Sequence, residues 1–182
     1  CVNMLSQSKK RVFKSTKKNY SLKTLKSIIN SINNNKKIFK KIKVKIIIID
    51  HNSDKKVIEK FKKILKKQFF RSEILNLNIN FYKKKIKKIN QQGKKVTDNQ
   101  ISNMSNINQS LNIAKKCDDL VYLVEDDYLH KKEAIEEMIL SYERISSQIG
   151  KDLIMCPADY PYLYNKLENS KIILGNNCHW RS

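Results

Sequence analysis

What most constrains the fold is a repeated change of apolar period along the chain, from two residues to 3.6 and back. Residues 43–49 form a short β-branched run, too apolar for a solvent-facing strand, which reads as a buried parallel strand ending at Asp50. Leu75, Leu77, Ile79 and Phe81 alternate with Asn76, Asn78 and Asn80, the pattern of a half-buried strand. Further apolar strands are expected at 1–5, 120–124 and 152–156, the last closed by Pro157. Between them lie helical faces. Ser21 is expected to cap Leu22, Leu25, Ile28, Ile29 and Ile32, with Asn33, Asn34 and Asn35 as the stop. Asp54 is expected to cap Val57, Ile58, Phe61, Ile64, Leu65 and Phe69. A third helix runs through Ile107, Leu111 and Ala114, and a fourth spans 131–149 and stops at Gly150. The tract 83–103 reads as a loop. Strands alternating with helices specify an α/β fold with a mainly parallel sheet flanked by helices and right-handed crossovers. Neither an internal repeat nor a domain boundary is visible, so residues 1–182 are expected to form one domain.

Charge is the loudest compositional signal, at a formal +21. Its make-up weakens the obvious reading. Lys outnumbers Arg 34 to 4, while Asn (20) and Ile (25) are also inflated, the joint mark of an A/T-rich coding sequence. Nucleic-acid sites favour the guanidinium fork, so nucleic acid is disfavoured as a partner. The charge is also segregated: residues 1–116 hold 31 Lys and Arg against 5 Asp and Glu, whereas 117–182 hold 7 against 12. The acidic part is where chemistry is expected. The basic helix from Asp54 onward is amphipathic and suits either a solvated face or an anionic lipid surface.

Other classes drop out on simpler grounds. No apolar run reaches the ~20 residues of a membrane span, and no signal-peptide pattern opens the chain. Cys1, Cys117, Cys156 and Cys178 are scattered, without CxxC or zinc spacing, which points to a reducing cytoplasm. A start at Cys1 inside an apolar run, and a stop after His179 and Trp180 without a closing element, read as a fragment. Three glycines leave little scope for a glycine-lined phosphate cradle.

Ligand crevices of open parallel sheets lie at the carboxyl ends of strands, and two expected strands end in acids: Asp50, and the triplet Glu125, Asp126, Asp127. Three consecutive carboxylates repel one another unless a cation or hydrogen-bond donors neutralise them, and a hard divalent ion does so well. Acids also cap helices, so the triplet reads alternatively as the cap of the helix that follows.

A larger pattern surrounds these acids. A buried strand enters Asp50, His51, Asn52, Ser53; a helix reads Asn108, Gln109, Ser110, Leu111, Asn112, Ile113, Ala114; Asp118, Asp119 and an apolar strand then lead directly to Glu125, Asp126, Asp127. This resembles the GT-A-type glycosyltransferases, family 2 in particular, over about residues 1–130. His51 stands where that family has an aspartate, Asn52, Ser110 and Asp118 where it has glycines, and Glu125 where the first acid of its Asp-x-Asp motif is usual. The resemblance implies a GT-A-like, Rossmann-related fold and metal-dependent, inverting transfer of a sugar from a nucleotide-diphosphate sugar to a saccharide, lipid-linked or protein acceptor. It implies that Asp127 ligates Mn²⁺ or Mg²⁺, with His179 as the candidate second protein ligand, a residue that reads otherwise as a structural histidine beside Trp180. It further implies that Asp50 contacts the nucleotide base and that Asp126 meets the ribose or sugar, with His51 and Glu125 as further substrate-binding residues. Asp159, among Tyr160, Tyr162 and Tyr164, is the named candidate for the catalytic base; that segment reads equally as a surface loop. The implied setting is cytoplasmic, with possible placement at the inner membrane face.

Competing readings are a non-catalytic α/β binding module, a basic nucleic-acid-binding protein, and a response-regulator receiver domain, whose acidic pocket residues 123–127 imitate. The receiver reading is disfavoured because its phosphoacceptor would fall at Pro157.

Overall fold

A computed structural model describes residues 15–158 and 171–181. The strand expected at 1–5 and the candidate base Asp159 lie outside them. Mixed α/β architecture is present, with six α-helices and a two-stranded parallel sheet among the described residues. None of these helices is long and apolar enough to cross a membrane. The described residues divide into two compact units, one comprising residues 15–25 with Lys40–Tyr128, the other Lys26–Phe39 with residues 129–158 and 171–181.

In the first unit, strand β1 (Lys45–Asp50) pairs in parallel with β2 (Arg71–Asn76), from Lys45 opposite Arg71 to Asp50 opposite Asn76. Helix α3 (Lys55–Leu65) connects them and completes a βαβ unit. Its apolar face is the expected one as far as Leu65, since Val57, Phe61 and Leu65 are buried and every lysine of the helix is exposed, but the helix ends there and Phe69, expected on the same face, lies beyond it and is exposed. Asp54 caps it by accepting from Lys56 N at 2.7 Å.

Several boundaries differ from expectation. Helix α1 (Lys17–Asn34) begins before Ser21, which is an interior residue whose hydroxyl bonds back to Lys17 O at 3.0 Å. The alternation at 75–81 marks the end of β2 rather than its body. Its parallel partner ends at Asp50, so beyond Asn76 there is no ladder to continue, and the Asn78 side chain caps the short helix α4 (Ile79–Tyr82) by accepting from Phe81 N. Within the expected loop 83–103 lie a 3₁₀ turn at Lys83–Lys85, a bridge between Ile89 and Lys95, and the start of helix α5 (Asp98–Ala114). Residues 120–124 form no strand: all five side chains are exposed, and no described strand pairs with them. Asp50 and Asp127 therefore do not end neighbouring strands of one described sheet. Residues 152–156 likewise form no strand, and Ile154 is fully exposed.

The second unit contains the short helix α2 (Lys36–Phe39), helix α6 (Ala134–Ile149) and an unforeseen antiparallel hairpin of β3 (Ile172–Leu174) and β4 (His179–Arg181). Gly150 ends α6 in the left-handed conformation at φ 64°, as its position predicts. Ile29, Ile32, Phe39 and Ile145 supply the buried apolar side chains.

Candidate functional site

The best-defined polar constellation lies at the carboxyl ends of β1 and β2. Asp50 ends β1 with only 7% of its surface exposed. Its Oδ2 accepts from Ser53 N, three residues on, at 3.2 Å, which turns the chain back on itself. Asn52 takes φ 54°, the left-handed region that glycine or asparagine fills most readily. The other carboxylate oxygen, Oδ1, is buried and has no hydrogen-bond partner among the described residues. A buried orphan acceptor costs about 1–3 kcal/mol, and more when charged.

Helix α5 packs a polar face against this edge. His51 Nδ1 and Ser102 Oγ share a hydrogen bond of 2.7 Å, and Asn106 Nδ2 donates to Ile49 O at 3.4 Å. One turn further on, Gln109 Nε2 donates to Asn76 O while its Oε1 accepts from Asn78 N. Ser102, Ser105, Asn106 and Gln109 are all buried, whereas Met104, Ile107 and Leu111 are exposed. The helix is thus inverted relative to the expectation that Ile107 and Leu111 form its inner face. Polar positions at i, i+3, i+4 and i+7 carry the signal of the buried face, which apolar periodicity alone does not show. Asn108 bonds back to Met104 O within the helix.

The acidic triplet is split by its surroundings. Glu125 and Asp127 are exposed. Asp126 pairs with Lys17 Nζ at 3.3 Å and accepts from Ser21 Oγ at 2.8 Å, so both of its oxygens are engaged by the first turns of α1. The helix-cap alternative fails: α6 begins only at Ala134, its cap position is Glu133, and no side chain caps it. Among the described residues no group of three or more His, Cys, Asp and Glu side chains is gathered as a metal cage. His179 is exposed on β4 in the second unit.

The second unit holds a different carboxylate arrangement, which no sequence signal announced. Glu137 of α6, 5% exposed, accepts from Asn176 N at 2.9 Å, Asn177 N at 2.5 Å, Ser141 Oγ at 2.8 Å and Trp180 Nε1 at 3.2 Å. Burial pushes its pKa up, but the bonds from Ser141, Asn177, Trp180 and Asn176 outweigh that and hold it below the ordinary glutamate value. The neighbouring Cys178 thiol is pushed up by burial and by the Glu137 carboxylate it faces. Gly175 passes so close to Glu137 Oε1 and Cys178 O that no Cβ fits there.

No family model matches the chain, and no curated protein or solved structure matches it significantly.

Proposed function

We propose that the chain binds a nucleotide-diphosphate sugar and is a metal-dependent glycosyltransferase. The observation that carries this reading is the buried, half-satisfied carboxylate of Asp50, held in a tight turn at the carboxyl end of a parallel strand, where α/β sheets receive ligands. An acceptor kept dry and unpaired there suits an N–H of a nucleobase. His51, the next residue, is fixed through Nδ1 by Ser102.

The fit to a metal rests on donor chemistry. Mg²⁺ and Mn²⁺ need only one or two protein carboxylates, with water and phosphate oxygens completing the shell. The exposed acids Asp127 and Glu125 are of that kind, and Asp127 takes the ligand role by the family resemblance. When bound with the donor, such an ion supplies charge stabilisation for the departing diphosphate. Asp126, committed to Lys17 and Ser21, anchors the triplet to α1. His179 as second ligand, Asp159 as acceptor base and contact with a membrane face belong to this proposal by resemblance alone.

Titration of nucleoside diphosphates with and without Mn²⁺ tests the reading. Binding is expected to require Mn²⁺. Asp127→Asn is expected to abolish the metal-dependent part while changing stability by less than about 1 kcal/mol, because an exposed side chain is being replaced by one of equal size. An Asp127→Asn chain with unchanged metal-dependent binding would overturn the assignment.

A further inference from the structure

At the other end of the sheet from Asp50, the amino ends of β1 and β2 carry a different chemistry. The register sets Lys45 beside Arg71, and Arg71 N donates to Val44 O at 3.2 Å, so the segments that lead into the two strands meet at one edge. Lys40, Lys41 and Lys43 approach β1 there, and α3 returns the chain to the same edge, where Lys66 and Lys67 precede Arg71. All six of these cationic side chains are exposed. No Asp or Glu occurs in residues 40–49 or 60–72, and the acids that flank the second stretch, Glu59 and Glu73, are already paired with Lys62 and Lys45. Two apolar side chains stand among the cations. Ile42 is 37% and Phe69 40% exposed, and the Phe69 ring packs edge-on against the buried Phe70 with centroids 5.5 Å apart.

We propose that this amino edge is a docking surface for an anionic lipid bilayer. The combination of charge and apolar exposure decides the partner. Lysines are drawn to negative headgroups within a Debye length of the membrane, while Ile42 and Phe69 enter the boundary between headgroups and acyl chains. Nucleic acid fits the edge less well. Five of the six cations are lysines, which lack the guanidinium fork, and one exposed ring is no stacking platform for successive bases. A bilayer held at this edge leaves the carboxyl ends of β1 and β2 pointing away from it, with Asp50 roughly 17–20 Å further along the strand. The contact needs no nucleotide, so it stands or falls separately from the site at Asp50.

Co-sedimentation of the full chain with phosphatidylcholine vesicles, with and without about 30% phosphatidylserine and in about 0.1 M sodium chloride, tests the surface. Partitioning is expected to be at least about tenfold stronger on the anionic vesicles. Lys66→Glu/Lys67→Glu is expected to lower it at least about tenfold with an unchanged melting temperature, because both side chains are exposed. Lys83→Glu/Lys84→Glu makes the same change of net charge beyond the carboxyl end of β2, and is expected to lower it by less than about threefold. Ile42→Ser and Phe69→Ser are each expected to weaken partitioning by about two- to fivefold through lost apolar burial. Equal losses in the two lysine variants would overturn the surface, by showing that net charge alone attracts the chain. Equal partitioning on neutral and anionic vesicles, or none on either, would overturn it as well. Vesicle binding that ignores Ile42→Ser and Phe69→Ser, together with poly(U) RNA binding that is lost in Lys66→Glu/Lys67→Glu, would make the edge a nucleic-acid surface instead.

Discussion

Glu137 illustrates how one side chain can fix a segment that has little else to hold it. The hairpin of β3 and β4 is three residues long on each side, and Ile172 and Leu174 are exposed. Its attachment to α6 comes from the donors that converge on this carboxylate. Glu137→Gln keeps the size but turns an amide N–H toward backbone N–H groups, and is expected to cost about 1–3 kcal/mol at neutral pH. Because the folded pKa lies below the unfolded one, the folded state binds fewer protons. The stabilisation is therefore complete above the unfolded value and is lost as pH falls through the folded value. Thermal melts from about pH 7 down to about pH 3 should show the gap between wild type and Glu137→Gln closing on acidification. A gap that stays constant across that range would mean the carboxylate charge is not what holds the hairpin.

At the scale of elements, α5 does the most positioning. Thr97 opens it with a capping box: its hydroxyl accepts from Gln100 N at 3.3 Å, and Gln100 Oε1 accepts from Thr97 N at 2.9 Å. Thr97→Ala is expected to cost about 1 kcal/mol, read as a lower urea midpoint. Gln109→Ala should cost more, since it strands both Asn76 O and Asn78 N. Equal or negligible losses in the two variants would contradict this ordering. The Thr-x-x-Gln signature was present in the sequence, but the surrounding Lys and Asn lacked apolar period, and the tract read as a loop. Where local chemistry and burial agree, as at β1, the Asp54 cap, the α3 face and Gly150, the sequence was readable to within a residue or two. The run at 120–124 was not, because a strand requires a neighbour as well as propensity, and pairing is a non-local property. The site divides in the same way. Asp50 followed from its place at a strand end, whereas the left-handed turn at Asn52 came only with the structure, and Ser102, Ser105, Asn106 and Gln109 depended on which face of α5 turned inward.

For the molecule as a whole, the formal charge of +21 works against compactness. Ion pairs join Lys17 to Asp126, Lys45 to Glu73 and Lys62 to Glu59, and Lys85 lies over the Phe81 ring at 4.6 Å. Most other lysines among the described residues stand exposed on separate elements, including those of α1 beyond Lys18, those of α3 other than Lys62, Lys83, Lys84 and the pair Lys115 and Lys116. With so many like charges and few partners, screening removes more repulsion than attraction. Exposed pairs contribute only about 0–1 kcal/mol each. Raising sodium chloride from about 20 mM to about 0.3 M, which shortens the Debye length to below ~10 Å, is expected to raise stability by about 1 kcal/mol, or roughly 2–4 °C in melting temperature. Over the same range, any affinity for RNA or DNA should collapse, because lysine contacts to phosphate are driven by counterion release. The proposed Mn²⁺-dependent binding of a nucleoside diphosphate at the Asp50 edge should weaken far less, since it would rely on hydrogen bonds and an inner-shell ion. A melting temperature that falls with salt would show that the few ion pairs dominate the many unpaired lysines. Nucleotide binding that vanishes as steeply as RNA binding would assign the ligand to the lysine surface instead of the strand ends.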